Sequence, residues 1–464
     1  MDRRLRHLAE QLDAGLIARR EFLRRAAILT GGAVAGPSVL RRMAGAQTRP
    51  PFFAWLFRSF VPGVNDVLAK QIEAWAKERK LTPAIDWATF GERDQRLRAG
   101  VETGLPHVTE MNAFGPIRYK ALLQDVSKLA TELAAARGGL LPGAAGTTKV
   151  DGTVLAVPRY TMINAFYIRK DVMEDKGLTP PKLYDPDVIA FARKTQNPVK
   201  DLWGFGQTLN RCDDGEGFMQ SLLWDYGGGV WDNDGKPALA TSNREANLKA
   251  LQFAVDSILK HKIQPPGVMD WTDVSNNEAY LAGKLVTTNN GPSLYYALVQ
   301  RLLASRTLLV PTPGGPAGSF LASNLYSWGV FARGPGFQLA EDMIRWVEDE
   351  KRFAEYVRAS IGVAGPVYTA RARDPYWKED ANAEAILQNS LRGVHPGYPG
   401  PMTPAAVDVQ SQNVLTDMAA RAVIGGLSPE TALKEAHQRV EEIYRAWRTA
   451  EPEPPPRLTG PRAR

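Results

Sequence analysis

The sequence predicts an α/β protein built from more than one compact unit. Three observations carry this. Strand-like and helix-like stretches alternate over residues 52–113, the pattern of a parallel, helix-covered sheet. The chain has 464 residues, and roughly 100–200 residues make a domain. A linker-like run, Pro-Thr-Pro-Gly-Gly-Pro-Ala-Gly at 311–318, divides the second half.

The elements follow in order. Residues 52–60 are aromatic and apolar, a buried strand that stops at Val61-Pro62-Gly63. Asn65 and Asp66 begin a helix whose inward face is Val67, Ile72, Trp75 and Ala76, ending near Lys80. Residues 84–88 and 107–113 read as strands, with a helix at 95–101 between them. Residues 129–136 are weakly patterned, and 153–157 and 163–168 read as strands. Helices are expected near Asp171, at 186–193, at 215–226 before three glycines, at 243–261 and at 276–282. Strands are expected at 285–288 and 325–332. Beyond Leu339 the pattern is mostly helical, and Pro429 sits at the first position of a last helix reaching Arg448. Residues 451–464 read as a disordered Pro- and Arg-rich tail.

Composition removes several function classes. Apolar residues make up 44% of the chain and charged ones 23%, ordinary globular values. A single cysteine, Cys212, excludes an internal disulfide framework and a Cys-based zinc cluster. The five histidines are scattered and read as surface or capping residues. Residues 1–46 carry nine Arg against four acids, so the remainder, with 48 bases and 46 acids, is almost neutral. That body has no electrostatic footprint for nucleic acid. No Walker phosphate loop, G-x-S-x-G or H-E-x-x-H motif occurs.

The basic N-terminus reads as an export address. Arg19-Arg20-Glu21-Phe22-Leu23 precedes a weakly apolar, Gly-containing stretch and then Ala44-Gly45-Ala46. This is similar to a twin-arginine signal with a small-residue cleavage site. Residues 1–46 are therefore expected to be removed by a signal peptidase after the twin-arginine machinery exports the chain to the periplasm.

Several stretches, in order, resemble the extracellular solute-binding proteins of ABC importers, in the carbohydrate-binding branch typified by maltose-binding proteins. They are Phe60-Val61-Pro62-Gly63 and the helix after it; Lys149-Val150-Asp151-Gly152-Thr153-Val154-Leu155-Ala156-Val157-Pro158; Ala165-Phe166-Tyr167-Ile168-Arg169-Lys170-Asp171; and Gly177-Leu178-Thr179-Pro180-Pro181. Ala282-Gly283-Lys284 with Asn290-Gly291-Pro292, and Ser428-Pro429-Glu430-Thr431-Ala432-Leu433, complete the set. Leu155 stands where that family usually has an aromatic residue, and 385–415 departs from its pattern. The resemblance implies a two-lobed periplasmic-binding-protein fold, with discontinuous lobes joined by crossover hinges. The expected division is 47–158 and 313–363 for lobe 1, and 159–312 and 364–450 for lobe 2. It also implies a monomer that delivers a small carbohydrate to a membrane permease, with no cofactor, no metal and no catalysis.

A sugar needs planar polar groups for its hydroxyls and aromatic rings for its C–H faces. The strand ends and crossings offer Phe60, Asn65, Asn112, Tyr160, Asn164, Asp213, Trp224, Asn290, Tyr295, Asn324, Tyr326 and Trp328 as candidates. Asn65, Asp213 and Asp214 also suit helix capping. Phe60, Trp224 and Trp328 also suit core packing, and Trp203 and Trp231 read as structural. Arg159 is expected to face water, with an acidic sugar as the other option. Two other readings stay open: a carbohydrate-active enzyme using Asp213 and Asp214 as a carboxylate pair, and a binder of another small solute such as a polyamine.

Overall fold

The computed structural model describes residues 50–89 and 105–449, with positions 11, 92 and 95–97. The export address, the C-terminal tail and most of the helix expected at 95–101 lie outside the described residues.

The strands in chain order are β1 (Pro51–Phe57), β2 (Thr82–Ala88), β3 (Val108–Met111), β4 (Lys149–Val150), β5 (Thr153–Val154), β6 (Ala156–Met162), β7 (Ala165–Arg169), β8 (Trp203–Phe205), β9 (Leu285–Asn290), β10 (Thr307–Val310), β11 (Leu321–Ala322), β12 (Asn324–Val330) and β13 (Gly393–Val394). They form two principal sheets, one ordered β2-β1-β3-β12-β6 and one ordered β10-β7-β9-β8. Each sheet is the centre of one lobe.

The sheets are mixed, which corrects the parallel expectation. β1, β2 and β3 run parallel, but β12 is antiparallel to both β3 and β6. In the second sheet β8 and β9 are parallel, and β7 is antiparallel to β9 and β10. The cause is topological. Strands joined inside a lobe by a helical crossover come out parallel. In these two sheets the antiparallel pairs all involve β6, β7, β10 or β12, which flank the first two passages of the chain between sheets.

The first passage lies between Met162 and Ala165, because β6 stays in the first sheet through Met162. It therefore falls a few residues past the boundary expected at 158. The second passage runs from Val310 to Asn324 and includes the Pro-Gly run at 311–318. A third follows the helix Glu350–Ala359, where Gly365 forms an antiparallel bridge with Thr161. The helix Ala381–Ser390 then packs on β10 and β7. The helices Pro404–Ser411, Val414–Val423 and Pro429–Thr449 complete the second lobe.

Each lobe has its own apolar packing. The helix Pro62–Glu78 buries Val64, Leu68, Ile72, Trp75 and Ala76, four of them spaced by about one turn. It packs on the helices Pro335–Val347 and Glu350–Ala359. In the second lobe Phe205, Phe218, Leu222, Trp231, Leu251 and Val440 are among the buried side chains of one cluster.

A fully buried ion network sits beneath the first sheet. Arg159 pairs with Glu110 and, at 3.1 Å, with Glu348. Glu348 also accepts from Trp328 Nε1 at 2.9 Å and from Arg371 at 2.9 Å. The guanidinium of Arg159 lies 3.9 Å from the Tyr356 ring centre. Arg159 therefore does not face water. Its long side chain is covered by rings and neutralised by two carboxylates, the condition under which a buried charge is tolerated. His107 is likewise buried, its Nδ1 accepting from the N–H of Phe53 at 3.1 Å. Burial lowers its pKa to about 4, so it is a neutral core acceptor and not a surface residue.

Candidate functional site

Between the sheets lies a cleft of about 1400 Å³, open to solvent, at the ends of β1, β3, β6 and β9. Ligands in open α/β sheets bind at strand ends of this kind. From the first lobe come Phe57, at the end of β1, and Phe60, in the loop after it. That loop is shaped by Asn65, whose side-chain oxygen accepts the N–H of Ser59 and whose nitrogen donates to its carbonyl, both at 3.0 Å. Asn112 follows β3, and its oxygen accepts the N–H of Phe114 at 3.3 Å, beside the Phe114 ring that lines the cleft.

The second lobe supplies one face of the helix Asp213–Asp225: Asp213, Asp214, Gly217, Phe218 and Ser221, at helical spacing. Beside it are Asp273, Tyr184 and Asn289. The crossings form the floor with Met162, Asn164, Thr312, Ser323 and Asn324. Residues Pro396 and Gln410 close the far side. Arg118, on the first lobe, donates to Ser411 Oγ of the second at 2.8 Å and bridges the two lobes.

The electrostatics of the second-lobe wall are one-sided. Among the described residues, those lining the cleft include three carboxylates and no Lys, Arg or His. Asp214 accepts from Asn276 at 3.0 Å, and its own N–H donates to Asp273 at 2.9 Å. Desolvation, helped by the charges of Asp273 and Asp213, pushes Asp214 up to about 7. Asp213 is raised for the same first reason, although it is open to water within the recess and Arg118 draws it down. Nearby Glu216 is buried and pushed up to about 7 by desolvation, despite accepting from Leu415 N–H, Thr416 N–H and Thr416 Oγ1. Burial pushes the Cys212 thiol up to about 12, which keeps it a neutral, unreactive neighbour. Among the described residues, no group of three or more His, Cys, Asp or Glu side chains is placed to hold a metal.

Of the twelve residues singled out from the sequence, Phe60, Asn112, Asn164, Asp213 and Asn324 line the cleft. The others do other work. Asn65 holds the Phe60 loop. Tyr160, Tyr326 and Trp328 are fully buried and cannot reach a ligand here. Tyr326 stacks on Tyr160 at 4.5 Å and meets the cleft ring of Phe57 edge-on at 5.4 Å, so the two tyrosines back the wall instead of forming it. Trp224 is buried and donates to the Tyr398 carbonyl at 3.2 Å, pinning the segment that carries Pro396. Tyr295 accepts from Asn382 at 3.0 Å and lines a separate hollow of about 550 Å³ with Ile361, Gly362 and Tyr376.

Asn290 is buried against Asn277 at 2.5 Å, whereas its neighbour Asn289 lines the cleft. Adjacent residues of a strand point to opposite faces, so a one-residue misassignment moves the side chain across the sheet. Phe218 and Ser221 were legible from the helical period starting at Asp214. Nothing local marks Tyr184, Asp273 or Gln410, which reach the cleft only through tertiary packing.

The sequence profile of the bacterial extracellular solute-binding proteins matches residues 65–351, more than half of the chain. The chain belongs to that family. In three dimensions it is similar to the maltose-bound MalE3 of T. maritima, with 22% identity, 84% of this chain and 100% of that one covered, and a TM-score of 0.69. It is similar to the sugar-binding protein MalE of Xanthomonas citri, with 19% identity, coverages of 86% and 98%, and a TM-score of 0.72. A ribitol complex of an ABC transporter solute-binding protein from Agrobacterium radiobacter K84 gives 18% identity, coverages of 85% and 98%, and a TM-score of 0.67. The two-lobed periplasmic-binding-protein fold of this solute-binding family is thereby shown. Curated binding proteins of Brucella abortus are 22% identical over 170 residues, so the chain spans about 40% of their length. No helix among the described residues is long and apolar enough to cross a membrane.

Proposed function

We propose that this protein is the periplasmic receptor of an ABC importer, closing its lobes on a sugar or polyol and passing it unchanged to a membrane permease. The observation that carries the reading is the cleft between the sheets. It combines ring faces from Phe57, Phe60, Phe114 and Phe218 with amides and carboxylates from Asn112, Asn164, Asn324 and Asp214. Rings cover C–H faces, and planar polar groups take up hydroxyls. The maltose and ribitol complexes among its structural relatives support this substrate class.

A carbohydrate-active enzyme would need two carboxylates facing each other across the scissile bond. Asp213 and Asp214 instead leave the same helix end side by side, with Asp214 tied to Asn276. The division into lobes at 47–162 and 324–359 for the first, and 165–310 and 381–449 for the second, belongs to the same proposal, as does action by a monomer.

The test is a thermal-shift screen of sugars, polyols, amines and metals on the purified mature protein. A ligand that binds only the folded state at a hundredfold excess over Kd adds about 2.7 kcal/mol to stability. A shift with sugars or polyols supports the proposal. A shift confined to metals, or chemical turnover of a bound carbohydrate, refutes it.

A further inference from the structure

We propose that the ligand of this cleft carries a protonated amine, so that the substrate class is an amino sugar or amino polyol and not a neutral one. The proposal rests on the sugar-receptor reading above and narrows it. The wall built by Asp213, Asp214 and Asp273 presents hydrogen-bond acceptors, and among the described residues no cationic side chain lines the cleft beside them.

An acidic wall alone could be a hydrated surface. The second observation is Asn289. It is only 4% exposed, lines the same recess, and gives its amide nitrogen to Tyr184 Oη at 2.6 Å. Its side-chain oxygen has no partner among the described residues. A buried amide oxygen left without a donor costs free energy, and such a group calls for an explanation. Asn276 links the two features, donating to Asp214 at 3.0 Å and to the Asn289 carbonyl at 3.5 Å. This side of the recess therefore offers acceptors and carboxylates without a lining cation among the described residues. An ammonium supplies three donors and a positive charge at one point.

The surroundings agree. Phe218 stands one turn beyond Asp214 on the same helix, and Phe57, Phe60 and Phe114 face it from the other lobe, a ring set suited to a cation as well as to C–H faces. Among the described residues the cation acting on Asp213 is Arg118, which is occupied with Ser411 and the Phe114 ring. The polar floor at Asn164, Thr312 and Asn324 remains for hydroxyls, which distinguishes this ligand from a linear polyamine.

The experiment is isothermal titration with matched compounds: glucosamine, glucose and N-acetylglucosamine, then the amino and hydroxy forms of whichever sugar or polyol the thermal screen selects, and spermidine. The amine form is expected to bind at least tenfold more tightly than its hydroxy and N-acetyl counterparts. Asp214→Asn and Asp273→Asn, checked for folding by circular dichroism, are each expected to erase most of that preference. Equal or tighter binding of the neutral compounds overturns the amine assignment and leaves the sugar receptor standing. Binding of spermidine alone overturns both.

Discussion

The side-chain oxygen of Asn389 accepts the N–H of Thr312 at 3.1 Å, and the same amide donates to the carbonyl of Asn164 at 2.9 Å. Asn164 lies in the first passage between sheets and Thr312 in the second. One fully buried side chain thus joins both crossings at the floor of the cleft. Hinged closure turns on a few such residues. Their relative placement decides how the lobes meet.

Asn389→Ala leaves a buried N–H and a buried carbonyl without these partners. The expected cost is about 1–3 kcal/mol. The variant is also expected to show a larger radius of gyration in solution scattering, because the two crossings can separate. An unchanged denaturation midpoint together with unchanged scattering would show that the clamp contributes nothing.

The network around Glu348 gives a second prediction. Glu348 is 1% exposed and serves Arg159, Trp328 and Arg371 together. Arg159→Met leaves Glu110 and Glu348 buried with less positive charge. Breaking a buried pair by removing one partner costs about 3–5 kcal/mol. The loss should persist at 1 M salt, since mobile ions do not reach a sealed pair. It should also loosen the cleft, because the Glu110 carboxylate that meets Arg159 also accepts the N–H of Phe57 at 2.9 Å. Urea titration at low and high salt checks both points.

The sequence carried most of the helices, β1, β2, β3 and β12 of the first sheet and the position of the second passage, because these follow from local periodicity and from Pro and Gly; the helix Pro292–Gln300 and the run of β6 to Met162 were not foreseen. β8 and β10 were missed. They are three and four residues long, too short to show a period, and only pairing with β9 and β7 defines them. The site was half legible for a related reason. Asn112, Asn164 and Asn324 follow from their places at strand ends. Tyr160, Tyr326 and Trp328 were singled out for ring chemistry near the crossings, but their side chains turn into the packing. Which face of a central strand is sealed by Arg159 and Tyr356 is decided by packing from residues some 200 positions away.

The aromatic walls give a third prediction. Phe60→Ala removes a half-exposed ring from the first-lobe rim, and Phe218→Ala removes a buried ring from the second. Both should weaken ligand binding by about 1–2 kcal/mol, the worth of a ring contact with its apolar area. Their stabilities should diverge. Phe218 also contacts Tyr184 edge-on at 5.7 Å within the second core, so its loss should cost about 3–5 kcal/mol. Phe60→Ala should unfold almost as the parent does. Titration calorimetry and thermal melts on the two variants separate binding from packing.

The carboxyl of Asp214 gives a prediction in pH. Its folded pKa is about 7 against an ordinary value of 3.8, so between these values the folded state keeps a proton that the unfolded state has released. Stability from this group is therefore lost as pH rises from about 4 to about 7. The groups facing it are Asp213 and the neutral thiol of Cys212 beside it, Asp273 and Asn276 from the neighbouring segment, and Arg118 across the cleft, acting mainly on Asp213. Glu216 adds a loss of the same sign over a similar window. His107 and His395 act oppositely. Burial lowers both to about 4, so stability is lost as pH falls from about 6.5 to about 4. Asp214→Asn removes only the first of these effects. The variant should be more stable than the parent at pH 8, by on the order of 1–3 kcal/mol. The difference should shrink steadily toward pH 4, where the parent carboxyl is protonated in the folded state and close to half protonated in the unfolded one. The same substitution should weaken binding of an amine ligand, so stability and affinity should move in opposite directions, as they do where a site keeps charges that the fold alone would discard. Urea denaturation from pH 4 to pH 8, paired with ligand titration at pH 8, measures both. A stability difference independent of pH would show that Asp214 is ionised throughout this range.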